Sequence, residues 1–400
     1  MEFVFWYLKF NKIGDNSSFF CYNKNMKRYV LALATFCGTI IGVGIFSLPY
    51  AAAKFGFYPT ICYLIILSGL TVIIHLIFGE ICLRTPQNHR LPGLTEIYFG
   101  KKIKFLPVLT NSIGLFGASL AYLIVGGDFL TNLVQPIFGG NELIYVLIFF
   151  FIASLVIFLG SKAISRSDLI NLMVFFGILI FLLIKSLPHI QLTNLQTFQL
   201  TNFFLPYGVI LFALSGMSII PEVREILGNE SKKLKSVIIA GSLIPAFIYL
   251  IFIFFILGVC GSTTTPDALS GLKLFLGEKI LIAGFLLGTL AVFTSYINVG
   301  LTIKKIFWYD LKFSHFSAWV LATFIPLLLY LIGLKDFIAI IGFTGAVTMG
   351  IDGILVFLIH KKAKKTGQLK PTYQINLPKI LVYLIIIMFL AGVAVELIKI

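Results

Sequence analysis

The chain alternates long apolar stretches with short polar ones. Apolar runs cover about 29–53, 59–83, 107–136, 143–161, 166–187, 203–227, 236–258, 279–309, 316–334, 336–359 and 378–398, and most charged residues fall between them. Roughly 20 consecutive apolar residues cross a bilayer as a helix, because in hydrocarbon each backbone N–H and C=O must find its partner within the segment. The pattern predicts an all-α membrane protein with 11 transmembrane helices. The runs at 107–136 and 279–309 exceed one crossing, which predicts tilt or projection beyond the membrane.

Two of these spans are interrupted. The first carries Gly38-Thr39-Ile40-Ile41-Gly42-Val43-Gly44-Ile45-Phe46-Ser47-Leu48-Pro49-Tyr50 at its centre. An opened turn there strands backbone groups at membrane depth, which is tolerated only where protein, water or a ligand takes them up. The sixth span places Ser215, Gly216 and Ser218 between Pro206 and Pro221. One such run alone reads as ordinary helix packing, since Gly, Ser and Thr serve that purpose in membranes. Here the two runs head successive five-helix blocks of opposite direction, helices 1–5 over about 29–187 and helices 6–10 over about 203–359, with helix 11 at about 378–398 as an addition. That is the layout of a 5+5 inverted repeat, whose binding site lies where the breaks meet.

The breaks suggest a chemistry. A half-helix starting at Gly44 directs N–H groups and its positive dipole end into the gap, which suits a carboxylate. Half-helices ending near Ile41 and Ser215 present free carbonyls, which suit an ammonium group or a bare cation. A zwitterion held at both ends by backbone is an amino acid. The expected substrate contacts are Thr39, Ile41, Gly42, Val43, Gly44 and Ile45, facing Ser215 and Gly216. Tyr122, Phe212, Leu214 and Met217 are expected to form the side-chain pocket, with Phe212 also closing it from outside.

Composition agrees and adds an orientation. Hydrophobic residues make up 59% of the chain and charged residues 12%, which excludes a soluble domain of this length. A net charge of +15 invites a nucleic-acid reading, but its distribution opposes one. With the N-terminus in the cytoplasm, 25 of the 31 Lys and Arg fall inside, leaving Lys54, Lys185, Lys273, Lys279, Lys335 and Lys399 outside. Basic loops on the inner face set topology and attract anionic lipid heads. The expectation is a multi-pass protein of the plasma (inner) membrane with its N-terminus cytoplasmic and, after an odd number of spans, its C-terminus extracytoplasmic. Residues 1–26 lack the apolar core and cleavage site of a signal peptide and are expected to be a disordered or mis-assigned extension ahead of Met26, with 27–400 forming the transport domain. The five cysteines show no metal or redox spacing. Neither HExxH nor a paired-carboxylate or Ser/His/Asp set converges in the spans, so no enzyme activity, cofactor or obligatory protein partner is expected.

Four segments carry a family resemblance: GTIIGVGIFSLPYAAAKFGF from Gly38, EICLRTPQNHRLPG from Glu80, FALSGMSIIPE from Phe212 and AVFTSYINVGLTIKKIFWYD from Ala291. Over about 27–400 the chain resembles the amino acid–polyamine–cation superfamily with the LeuT-type fold, within it the amino acid/auxin permease and hydroxy/aromatic amino acid permease branches. In sodium symporters of that fold, two first-helix carbonyls and an A-x-x-T-S pattern of the eighth helix hold the ion. The resemblance places these at Gly38 and Ile41 with Ala291, Thr294 and Ser295. Oxygen-only ligation suits a hard cation; the plain alternative is that Thr294 and Ser295 bond their own helix backbone. Proton-coupled relatives often carry a lysine in mid-helix 5, and Lys185 stands at the outer end instead, which favours sodium over a proton.

Ionisable groups inside a membrane are functional candidates. His75, Asp128 and Asp352 are candidate proton-relay groups, His75 being the deepest. Glu80 and Arg84 are spaced for a local ion pair. Glu222, Arg224 and Glu225 are candidates for an inner gate with Arg28 or Lys27, or a solvated cluster. The resulting reading is a secondary transporter importing a neutral, aromatic or bulky apolar, amino acid by cation-coupled alternating access. Its alternatives are a transporter-like sensor without turnover, or an exchanger or channel for another small solute.

Overall fold

In the computed structural model, residues 18–87, 89–159, 164–196, 198–310 and 312–398 are described. The first half comprises α1 (Ser18–Ile40), α2 (Gly44–Phe55), α3 (Phe57–Arg84), α4 (Leu91–Phe99), α5 (Phe105–Phe138), α6 (Glu142–Leu159) and α7 (Ile164–Ser186). The second comprises α8 (Leu205–Ala213), α9 (Ile220–Leu227), α10 (Leu234–Cys260), α11 (Glu278–Lys305), α12 (His315–Leu331), α13 (Phe337–Thr366) and α14 (Lys379–Ile398). Among the described residues the β pairing is one isolated bridge, Gly56 with Phe198. The all-helical expectation holds, for the reason that predicted it.

Helix lies under each of the eleven apolar runs, but the count of crossings differs from the prediction. By length and apolarity, seven helices among the described residues are able to span a membrane, or eight if the bent α1–α2 pair is one span. The shortfall has local causes. α12 has 17 residues, the sixth and seventh runs join in one helical stretch over Leu205–Thr263, and α7 begins beside residues outside the described set. α1 starts at Ser18, so helix already exists where the extension to residue 26 was expected; residues 1–17 lie outside the described residues.

α4 was not predicted. Its nine residues bury Leu91, Leu94, Thr95 and Tyr98, one helical face, too short a pattern to stand out. Helix starts elsewhere follow capping chemistry: Ser314 accepts from the Ser317 N–H at 3.1 Å and Asp336 from the Ala339 N–H at 2.9 Å.

Contacts divide the helices into two groups. α1, α2, α3, α8, α9 and α10 pack on one another, and so do α5, α6, α11 and α12. α13 joins them, touching α3, α5, α8 and α14. Lys304, 3% exposed near the end of α11, donates to the Ile157 and Phe158 carbonyls at 2.8 and 2.9 Å. It thus satisfies carbonyls that α6 leaves open in its last turn.

Candidate functional site

The first span breaks where its glycines are. The Ile41 N–H still closes onto Cys37 at 2.8 Å, then regular pairing stops. α2 restarts at Gly44, turned 50° from α1, with its first bonds running from Ile45 to Gly42 (3.3 Å) and from Phe46 to Val43 (3.1 Å). The sixth span breaks likewise. After Ala213 the N–H groups of Leu214 and Ser215 reach back to Ile210 (2.9 Å) and Phe212 (3.1 Å), and helix resumes as a tight turn at Met217–Ile219 leading into α9.

The breaks lie side by side. α2 packs on α8 and α1 on α9. A Cβ built on Gly44 would sit 2.8 Å from the Ala213 Cα, and one on Gly216 would sit 2.5 Å from Ile40 Cγ1. At Gly44 glycine alone permits that approach to the facing backbone, and at Gly216 it leaves room for the Ile40 side chain.

Two tyrosine hydroxyls reach into the gap. Tyr122 of α5 lies close to the Val43 backbone and the Ser295 side chain. Its hydroxyl lies so close to Gly42 that a Cβ there would stand 2.6 Å away. Tyr249 of α10, fully buried, donates toward the Ile40 carbonyl at 2.8 Å and the Ala213 carbonyl at 2.9 Å. The α2 end of the gap therefore offers N–H groups and a phenol, while the α1 and α8 ends offer carbonyls. Sequence reasoning missed Tyr249, because it sits in an unbroken apolar span with no neighbour that marks it.

The other expected contacts divide. Gly44 meets Ala213 and Phe212 where the breaks approach, Gly42 faces the Tyr122 hydroxyl, and Tyr122 lies close to Val43 and Ser295. Ile45 is fully buried in the first turn of α2. Ser215 donates its hydroxyl to the Phe212 carbonyl at 2.8 Å. Leu214 and Met217, expected to line the pocket, are 1% and 7% exposed and belong to the packed core, whereas Phe212 and Tyr122 stay half-buried. Thr39 is exposed and bonds its own helix at Thr35 (2.9 Å). An apolar pocket adjoins α2, lined by Phe46, Phe175, Leu179, Phe252, Leu269 and Gly288.

Of the cation oxygens, two are already together: Thr294 donates to the Ala291 carbonyl at 2.9 Å. Ser295 lies close to Tyr122, and Gly38 is exposed just ahead of the break. His75 is fully buried, with Nδ1 2.9 Å from the Ser242 hydroxyl and Nε2 without a partner among the described residues. Its ring faces Phe36 edge-on and approaches Gly216. Asp352 accepts from Thr110 at 2.5 Å between α13 and α5, and Asp128 shares its surroundings with Asp267 and Glu142.

The expected gate finds different partners. Glu222 pairs with Arg90 at 2.5 Å, and Arg224 donates to the carbonyls of Cys82, Thr85 (3.3 Å) and Gln87 (3.2 Å). The C-terminal end of the sixth span is thus tied to the segment following α3. The partners expected for it were Arg28 or Lys27; Arg28 approaches Gly228 just after α9, and the Lys27 side chain lies outside the described residues. Nearby, the Lys104 ammonium 2.7 Å from Glu96 holds that half-buried carboxyl below the usual range. Glu80 keeps its expected partner Arg84 at 2.8 Å and adds His360 at 3.0 Å and the Ile375 N–H at 2.6 Å.

Known proteins are similar to this chain in sequence and in fold. The chain is 26% identical to "Tyrosine-specific transport system 1" of Haemophilus influenzae, over 80% of its length and 84% of that protein's. It is 26% identical to the "Low affinity tryptophan permease" of Escherichia coli K12, covering 82% and 85%, and 25% identical to "Glutamine transporter 2" of Aliivibrio fischeri, covering 80% and 84%. In fold it matches the crystal structure of MhsT in complex with L-phenylalanine, with a TM-score of 0.62 at 16% identity over 92% of this chain and 98% of that one. That likeness bears out the expected LeuT-type fold. The tryptophan/tyrosine permease family model matches residues 26–398, and the chain belongs to that family of multi-pass membrane permeases.

Proposed function

We propose that this permease imports a neutral amino acid with an aromatic or bulky apolar side chain by cation-coupled alternating access. The observation that carries the reading is the pairing of the two breaks. One supplies N–H groups beside Tyr122 for the carboxylate, and the two half-helix carbonyl ends at Ile40 and Ala213 supply acceptors for the ammonium. Relatives named for tyrosine and tryptophan support an aromatic side chain; the one named for glutamine keeps the class open to other neutral amino acids.

The motion proposed is a rocking of spans 1, 2, 6 and 7 against spans 3, 4, 8 and 9. The division of contacts into those two groups supports it. Arg90–Glu222 and the Arg224–carbonyl contacts would act as the inner closure. Topology is proposed with the N-terminus cytoplasmic and the C-terminus outside, on the strength of the basic inner loops.

The coupling ion is proposed to be sodium, held as a co-substrate by the Gly38, Ile41 and Ala291 carbonyls and the Thr294 and Ser295 hydroxyls. The donor set is oxygen throughout, and a hydroxyl that donates to a carbonyl keeps lone pairs for a cation. A second reading, proton coupling through His75, is favoured by its unpaired Nε2 beside the sixth-span break. Uptake in proteoliposomes separates the two. Loss of uptake without sodium supports sodium, and uptake that persists without it but stops with a protonophore supports the proton. Accumulation against a gradient excludes a channel, and binding without any flux would make the protein a sensor. Residues 27–400 are proposed as one transport domain.

A further inference from the structure

Tyr249 stands apart from the other hydroxyls of the site. Its oxygen lies 2.8 Å from the last carbonyl of α1 and 2.9 Å from the last carbonyl of α8, at full burial. These two carbonyls end half-helices from opposite halves of the chain, so two negative dipole ends converge on one point. Such a point suits a cation, yet it holds a neutral phenol with a single proton to share. α10 packs along α1, α2 and α3, so the hydroxyl is held from outside the breaks. Each carbonyl has two lone pairs, and the one turned from Tyr249 is left for another donor.

We infer that Tyr249 is a positioning residue for the substrate ammonium: its hydroxyl pins the Ile40 and Ala213 carbonyls at one spacing and occupies the point where a further cation would otherwise sit. The inference rests on the amino acid reading given above. It follows that the substrate amine meets two acceptors already converged, and that this point needs no ion. Tyr249→Phe removes the one donor and keeps the ring, so the carbonyls lose their common anchor and repel each other.

The test is transport by purified protein in proteoliposomes, using whichever of L-tyrosine, L-tryptophan, L-phenylalanine or L-glutamine the wild type takes up best. Tyr249→Phe is expected to raise KM about tenfold or more while the maximal rate per folded transporter stays within about twofold, since a charged donor loses two aligned acceptors. An unchanged KM, or a fall in rate alone, overturns the inference. Should the phenylalanine variant not fold, 4-aminophenylalanine at position 249 decides, because its amine places two N–H donors, one for each carbonyl, on the same ring. A KM at or below the wild type supports the pinning role, and a raised KM in folded protein overturns it. Absence of wild-type uptake and binding for all four amino acids would instead defeat the underlying reading.

Discussion

Gly44 has no room for a side chain, because the Ala213 Cα already stands where a Cβ would press. Gly44→Val forces the two breaks apart. Overpacking of that kind costs about 1–3 kcal/mol, so a lower melting temperature in detergent together with abolished uptake is expected, and wild-type uptake would refute the close approach. Tyr122→Phe tests the other end of the gap. It removes the hydroxyl that meets Val43 and Ser295, and KM is expected to rise about tenfold at unchanged melting temperature. Thr294→Ala deletes one proposed ion oxygen and is expected to shift the sodium concentration for half-maximal uptake upward; no shift would leave the Thr294–Ala291 bond as mere helix packing. Gly42 and Gly44 were legible in the sequence because glycine marks a break by itself. Tyr249 and Ser242 were not, since only a folded neighbour shows where an isolated hydroxyl points.

At the scale of helices, the breaks were legible because no apolar run should weaken its own backbone pairing without a partner to take it up. Their ends, and the short helix α4, were not, because a nine-residue amphipathic face is too brief to separate from loop. The proposed gate was half legible. Its acidic and basic residues were identifiable near Glu222, but Arg90 is 132 positions away in sequence and only packing makes it the partner. Arg90→Glu is expected to slow transport, and the swap Arg90→Glu with Glu222→Arg to restore it; failure of the swap in folded protein would mark the pair as surface decoration, which exposed ion pairs often are. Lys304→Met leaves the Ile157 and Phe158 carbonyls without their donor. Its expected cost is about 1–3 kcal/mol, seen as a lower melting temperature.

For the molecule as a whole, topology is open to a direct measurement. Reporter fusions at the two termini are expected to place the N-terminus inside and the C-terminus outside, and both termini on one side would refute an odd number of spans. What the sequence by itself determined was the set of apolar helices and the two interruptions, since each follows from the cost of an unpaired backbone in a bilayer. What the tertiary structure alone decided was which interruptions touch and which side chains meet them. It laid α2 on α8, brought Tyr122 to Gly42, and set one phenol between the Ile40 and Ala213 carbonyls. Those contacts join residues far apart in the chain, and their partners are chosen by packing between helices, a choice that apolar periodicity along one helix does not record.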